Sequence, residues 1–327
     1  MRAVVQRLVQ LVVVLLLVTI FTSLLLDLVP GDVTNTLAPV STPQQRTELR
    51  HELHLDQPMY ERYGAWVNGL VHGDLGCYYG TSGYSSSKNC PDKVTDRVTD
   101  ALPVSLTLMF YAQVLSLVIA IPLGVATAYR AGSLFDKAVN TTAFGLLAIP
   151  NFVLGLVLAY YVGAKYHWFD IDPTGWIDFG KSPIDHFKQA LLPTISLAAG
   201  QIAVYMRLLR SDMIATLQED FVTMARAKGL SPARILWRHA LRPSSLTLLT
   251  VAGLNVGTLI GGAVVIENIF NIHGMGFLIA DAIVRRQYVA LQSYVAVLAL
   301  GYVAVNFFVD ILYAILDPRI RHARALG

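Results

Sequence analysis

Leu11-Val12-Val13-Val14-Leu15-Leu16-Leu17-Val18 is apolar at odd and even positions alike. A membrane barrel strand alternates apolar and polar residues, so this run is not one. Hydrocarbon offers no partner for backbone groups, which leaves the helix as the only other spanning form. The run lies in the window Leu8–Leu26, close to the ~20 apolar residues that a helical crossing needs. Five further windows meet the same requirement: Ala101–Tyr129, Ala138–Ala164, Gln189–Met206, Pro243–Ile266 and Gln287–Val309. The expected fold is all-α and integral to a membrane. It has six crossings, at about 8–28, 103–129, 138–164, 189–209, 244–266 and 288–316, in a single transmembrane domain covering 1–327.

Composition agrees. Of the 327 residues 54% are hydrophobic and 14% charged, against about 25% charged in soluble domains. Arg2 and Arg7 precede the first window as they would in a signal peptide. That window exceeds the usual core of ~7–15 residues, and no small-x-small site follows before Pro30, so it reads as an uncleaved helix.

Six crossings put both termini on one side. With the termini inside, segments 1–7, 130–137, 207–242 and 317–327 hold 14 Lys/Arg and 5 Asp/Glu in 62 residues. Segments 27–100, 165–188 and 267–286 hold 11 and 16 in 118 residues. Basic density is more than twofold higher inside, as the positive-inside rule requires. The pI near 8.8 therefore reports topology rather than a nucleic-acid footprint.

The long external loop, 30–100, contains Thr42-Pro43-Gln44-Gln45, a capping box with proline at the first helical position. It also holds Cys77 and Cys90, the only cysteines. On an oxidising side they are expected to form one disulfide, with two free thiols as the alternative. Pro122, Pro150 and Pro193 sit inside apolar windows and are expected to kink or unwind them. Gly253, Gly257 and Gly261 repeat at four-residue spacing, a smooth face for close helix approach. Glu267 and Asp310 stand at window edges, within reach of interfacial water.

Two motifs mislead. Gly175-Trp176-Ile177-Asp178-Phe179-Gly180-Lys181-Ser182 fits the phosphate-loop pattern, but Pro183 follows directly and the topology puts it outside. His51-Glu52-Leu53-His54 starts like a zinc-protease helix, but position 55 is leucine, so no metal site is expected.

The informative segment lies between the fourth and fifth crossings. Asp220 opens a short helix with Phe221, Met224, Ala225 and Lys228 on one face, and Gly229 ends it. Ser231-Pro232 starts a second short helix through Ala240, closed by Pro243. Alanines permit close docking, and arginines offer forked contacts to a partner's carboxylates. By composition alone the same surface would also suit lipid headgroups.

Ala225-Arg226-Ala227-Lys228-Gly229-Leu230-Ser231 followed by Arg238-His239-Ala240-Leu241-Arg242 resembles the cytoplasmic coupling loop, over 220–240, of dipeptide/oligopeptide/nickel-type ABC-transporter permeases. Leu28-Val29-Pro30-Gly31-Asp32, Leu55-Asp56-Gln57-Pro58, Gly73-Asp74-Leu75-Gly76, Ile121-Pro122-Leu123-Gly124 and the stretch 310–321 are also similar to that family. The resemblance spans nearly the whole chain. In this chain Thr223 stands where the family's general motif has glutamate, and His273-Gly274-Met275-Gly276 lacks a proline.

The resemblance implies a permease subunit that imports di- or oligopeptides by alternating access. Nickel or another small solute is the alternative cargo. It implies a second related permease, two cytoplasmic ATPases and an extracytoplasmic substrate-binding protein as partners, in a prokaryotic inner membrane. No cofactor is implied on this chain, and ATP and Mg²⁺ belong to the ATPases. Thr223, Ala225, Arg226, Ala227, Lys228, Gly229, Arg238 and His239 would contact the ATPase. Gln113, Gln201, Asn255 and Asn306 are polar side chains inside spans and are pathway candidates. Interhelical hydrogen bonding is the competing reading for each. A receptor would need a cytoplasmic output domain, yet the longest inside segment has 36 residues. A membrane enzyme would need a convergent catalytic set, and none is apparent.

Overall fold

The computed structural model describes residues 2–28, 34, 42–52, 55–78, 92–166 and 174–316, with side chains at 2–8, 49, 52 and 308–316 left aside. The described residues are helical apart from turns and one isolated β-bridge. The helices are α1 (Arg2–Leu28), α2 (Pro43–Glu52), α3 (Met59–Val71), α4 (Val94–Tyr129), α5 (Leu134–Ala148) and α6 (Asn151–Lys165). They continue as α7 (Pro183–Thr216), α8 (Asp220–Ala227), α9 (Pro232–Leu254), α10 (Val256–Ile269), α11 (Met275–Val284) and α12 (Tyr288–Leu316).

Four helices, α1, α4, α7 and α12, are long and apolar enough to cross a bilayer unbroken. Two bent pairs bring the number to six when each counts as one crossing: α5 with α6 at 95°, and α9 with α10 at 45°. The sharper bend lies at Ile149-Pro150, where proline starts the second piece and denies the ladder a donor. The helices run through Pro122 and Pro193 without interruption, so of the three prolines only Pro150 marks a break.

The chain divides into two compact units, 1–105 with 273–303, and 106–272 with 304–327. In the first, Tyr78, Val94, Val98, Met275, Ala290 and Tyr294 form part of one core. Trp66 Nε1 donates to Ser293 Oγ at 2.9 Å, and Ser293 Oγ donates to the Leu75 carbonyl at 2.7 Å. α1 stays at the margin. Its outward Val, Leu and Phe side chains suit lipid, and it is tied to α3 by the Thr19–Tyr63 hydroxyl contact of 2.9 Å.

α7 organises the second unit. In its most apolar window 61% of residues are buried, against 11% for α1. Its Met206, Leu209 and Met213 pack with Ala120, Val125, Ala203, Leu248 and Ala252. Glycine allows the closest approach: a methyl at Gly124 would lie 3.1 Å from the Met206 carbonyl oxygen, and one at Gly155 only 2.8 Å from Ile266 Cδ1. The expected glycine face on the fifth crossing is not continuous. The helix breaks at Asn255, and Gly261 is exposed with open space around it. The tight contact falls one residue later, where a methyl at Gly262 would meet Leu197 Cδ2 at 3.0 Å.

Candidate functional site

Glu219 precedes α8 in extended backbone, and the helix runs for two turns. Gly229 ends it with φ +73°, which L side chains adopt at a cost. The Gly229 amide donates to the Arg226 carbonyl at 2.9 Å, and the Leu230 amide donates to Ala225 at 3.3 Å. These two bonds form a Schellman stop. Leu230 then packs on a miniature core of Val222, Ala225 and Ile235, as that motif favours. Ser244 Oγ donates to Thr216 Oγ1 at 2.8 Å, linking the end of α7 to the first turns of the fifth crossing. The two-helix loop thus has its own core and a clasp at its base.

Thr223, Arg226, Ala227, Lys228, Gly229 and Arg238 are exposed on this loop, and His239 is half-buried. Phe221 and Met224 lie exposed with Lys228 as expected. Ala225 corrects the reading of that face: it is buried beneath α8 in the miniature core, so only Ala227 of the alanine pair is available for docking. The second short helix also differs. It does not close at Pro243 but widens to π over Ile235–Ala240 and continues to Leu254. A proline clashes with the carbonyl four residues back, and here that carbonyl belongs to His239, inside the widened segment.

Three of the four pathway candidates share one neighbourhood in the second unit. Tyr205 OH donates to Gln113 Oε1 at 3.3 Å and lies beside the Asn255 side chain. Gln201 Nε2 donates to Thr258 Oγ1 at 3.2 Å and lies 3.4 Å from the Asn255 carbonyl. Asn255 is the break between α9 and α10, so this cluster joins α4 and α7 to a bend in the fifth crossing. These are interhelical hydrogen bonds, the competing reading, placed at a bend. Asn306 lies half-buried on α12. Tyr205, the hub, was invisible as such in the sequence, because one tyrosine among 15 carries no positional signal.

Glu267 is fully buried, which corrects its expected reach to interfacial water. The chain turns back beneath it, with the Ile272 amide donating to the Glu267 carbonyl at 2.8 Å. The side chain of Asp310 lies outside the described ones.

In the first unit the long loop is closed at its base. Cys77 and Lys93 form an antiparallel bridge, and the Tyr78 amide donates to the Asp92 carbonyl at 2.9 Å. Cys90 lies outside the described residues. Tyr78 OH donates to Asp281 Oδ2 at 2.5 Å, and the Arg97 guanidinium lies 3.6 Å from the centroid of the Tyr78 ring. Burial, then the Asp281 bond, pushes the Tyr78 phenol well above its ordinary pKa. The capping box forms as read: the Thr42 amide donates to Gln45 Oε1 at 2.8 Å, and the Gln45 amide lies 3.3 Å from Thr42 Oγ1.

The phosphate-loop match does not fold as a phosphate loop. The Gly175 amide is taken by the Phe270 carbonyl at 2.9 Å, Lys181 pairs with Asp178 at 3.0 Å, and the segment ends at the start of α7. Of the zinc-like stretch, Leu53 and His54 lie outside the described residues.

Residues 120–322 match the family model of the binding-protein-dependent transport system inner membrane component, and residues 1–109 match the N-terminal model of such membrane components. The chain is 37% identical over 327 residues to the di/tripeptide transport system permease protein DppB of Pseudomonas aeruginosa, covering 94% of this chain and 95% of that protein. It is 34% identical over 323 residues to the oligopeptide transport system permease protein AppB of Bacillus subtilis, covering 98% and 99%. Its fold is similar to a chain of the inward-facing MetNI methionine ABC transporter, with TM-score 0.55 and 16% identity over 68% of this chain and 98% of that one. The two family models together cover nearly the whole chain, and the relatives match it almost from end to end, so the chain belongs to the family of binding-protein-dependent transport system inner membrane components.

Proposed function

We propose that this chain is the permease subunit of an ATP-driven importer of di- and oligopeptides, and that its 220–240 loop is the handle through which partner ATPases move it. The loop's construction supports this reading best. Its interior is satisfied by Val222, Ala225, Ile235 and the Gly229 stop, while Arg226, Lys228 and Arg238 face outward. A body that holds its own shape and presents cations suits docking into a carboxylate-bearing groove. Movement of that body reaches α7 and α9 directly through the Thr216–Ser244 clasp. It then reaches the Gln113–Tyr205–Asn255 cluster at the bend along the same two helices, and alternating access requires such an element to take two arrangements.

Two cytoplasmic ATPases bind and hydrolyse ATP with Mg²⁺, so this chain is itself no enzyme. A second related permease completes the passage, and an extracytoplasmic binding protein delivers the cargo. The protein sits in the inner membrane with both termini inside. Peptide is favoured over nickel because the relatives named above are, by name, peptide permeases. The test is purification in mild detergent followed by uptake in reconstituted vesicles. Two ATPases and a sister permease are expected, with ATP-dependent uptake of labelled dipeptide. Uptake of nickel but not peptide would overturn the cargo, and a chain that recovers no ATPase would overturn the class.

A further inference from the structure

A groove of about 680 Å³ runs between α5 and α7 in the second unit, and nothing above accounts for it. Its two ends differ in chemistry. At one end stand Lys137, Asn140, Arg207 and Ser211; Phe144, Leu147, Val204 and Leu208 form the wall. Lys137 precedes Leu147 by ten residues of helix, ~15 Å, and Ser211 follows Val204 by seven, ~10 Å. Both helices therefore carry their polar residues at the same end, next to the turn 130–133 and the last turns of α7.

An ion pair between buried Asp136 and half-buried Arg210 holds that end together. Arg210 Nε and Nη2 donate to the two carboxylate oxygens of Asp136 at 2.6 and 2.7 Å, and Asn140 Nδ2 and the Gly132 amide donate to the same carboxylate. With Asp136 neutralised by Arg210, Lys137 and Arg207 remain as two uncompensated positive charges, and no ion pair is described for either among the described residues. The Arg207 guanidinium lies 4.0 Å from the centroid of the Phe144 ring, a cation–π contact at the border between the polar end and the apolar wall.

We infer that this groove binds one anionic phospholipid, its phosphate held by Lys137 and Arg207 and an acyl chain lying along Phe144, Leu147 and Leu208. The observation that selects a lipid is the pairing of a cationic mouth with an apolar slot aligned with the spanning helices. A free anion or a peptide carboxylate would use only the mouth. Basic pockets between membrane helices commonly take anionic headgroups. The site adjoins the polar end of α7, the helix that runs on into the 220–240 loop, so an occupied groove would brace the helix through which that loop is proposed to act.

The test uses the full chain purified with its partners and placed in nanodiscs of phosphatidylcholine, with phosphatidylglycerol titrated in and retained lipid counted by native mass spectrometry. Wild type is expected to retain one phosphatidylglycerol in preference to phosphatidylcholine. K137Q/R207Q should weaken that binding roughly thirtyfold, at about 1 kcal/mol for each charge. Leu147→Trp should do the same by filling the slot with both charges intact, while Lys137→Arg should keep the lipid. A photoactivatable phosphatidylglycerol should crosslink wild type on α5 or α7, a readout that needs no variant to fold. Unchanged retention in both variants, a crosslink confined to other helices, or displacement by millimolar inorganic phosphate would each overturn the assignment. Loss of bound dipeptide rather than lipid in K137Q/R207Q would overturn it in favour of a peptide site.

Discussion

The first unit and the loop between the fourth and fifth crossings use arginine in opposite ways. In the first unit Arg62 of α3 pairs with Asp27 of α1, Arg97 with Asp92 at the base of the long loop, and Arg285 with Asp281 one turn back along α11. In the loop between the fourth and fifth crossings no ion pair is described for Arg226, Lys228, Arg234, Arg238 or Arg242 among the described residues, and that loop is held by apolar contacts and a glycine stop. Charges paired within the chain are already compensated; charges left outward wait for another surface. The contrast marks which loop is built to be gripped.

The most severe way to break the contrast is Gly229→Asp. Open space surrounds the position: a Cβ added there has no neighbour within 4 Å. The left-handed backbone costs the chain roughly 1–2 kcal/mol, and a carboxylate appears on the gripping surface. Insertion and abundance should be normal and ATP-dependent uptake of dipeptide lost; normal uptake would remove Gly229 from the interface. Charge reversal sharpens the comparison. Arg226→Glu with Lys228→Glu should weaken ATPase recovery roughly tenfold, whereas Arg62→Glu, which breaks the α3–α1 pair, should leave recovery unchanged and loosen the first unit toward protease. Equal effects on recovery would erase the distinction.

Ile235→Ala tests whether the miniature core gives the handle its rigidity. About 2 kcal/mol should be lost locally, seen as faster proteolysis within 217–240 at unchanged overall melting; a loop as resistant as wild type would show that the core is dispensable. The smallest effect concerns the closed loop of the first unit. Cys77 and Cys90 should react with maleimide only after reduction, with little change in uptake, and two reactive thiols without reductant would rule out the bridge.

What the sequence made legible is what neighbours in the chain decide. The Thr42–Gln45 box and the stop at Gly229 each rest on residues within one turn, and each formed, whereas of three prolines read alike as breaks only Pro150 became one. Six apolar windows were readable because lipid imposes a length. What escaped depends on partners far away. Asp136 and Arg210 are 74 residues apart, and nothing local says that they meet. Ala225 looked like a docking surface until Ile235, from the next helix, covered it. Glu267 looked interfacial because a window edge marks where charge begins, not how the chain folds back over it.

The central claim, a cytosolic handle gripped by ATPases, is tested most directly by labelling Lys228→Cys with a membrane-impermeant maleimide. Inverted vesicles should label, intact cells should not, and bound ATPase should protect the site. Labelling from the outside of intact cells, or labelling that ATPase leaves unchanged, would contradict it.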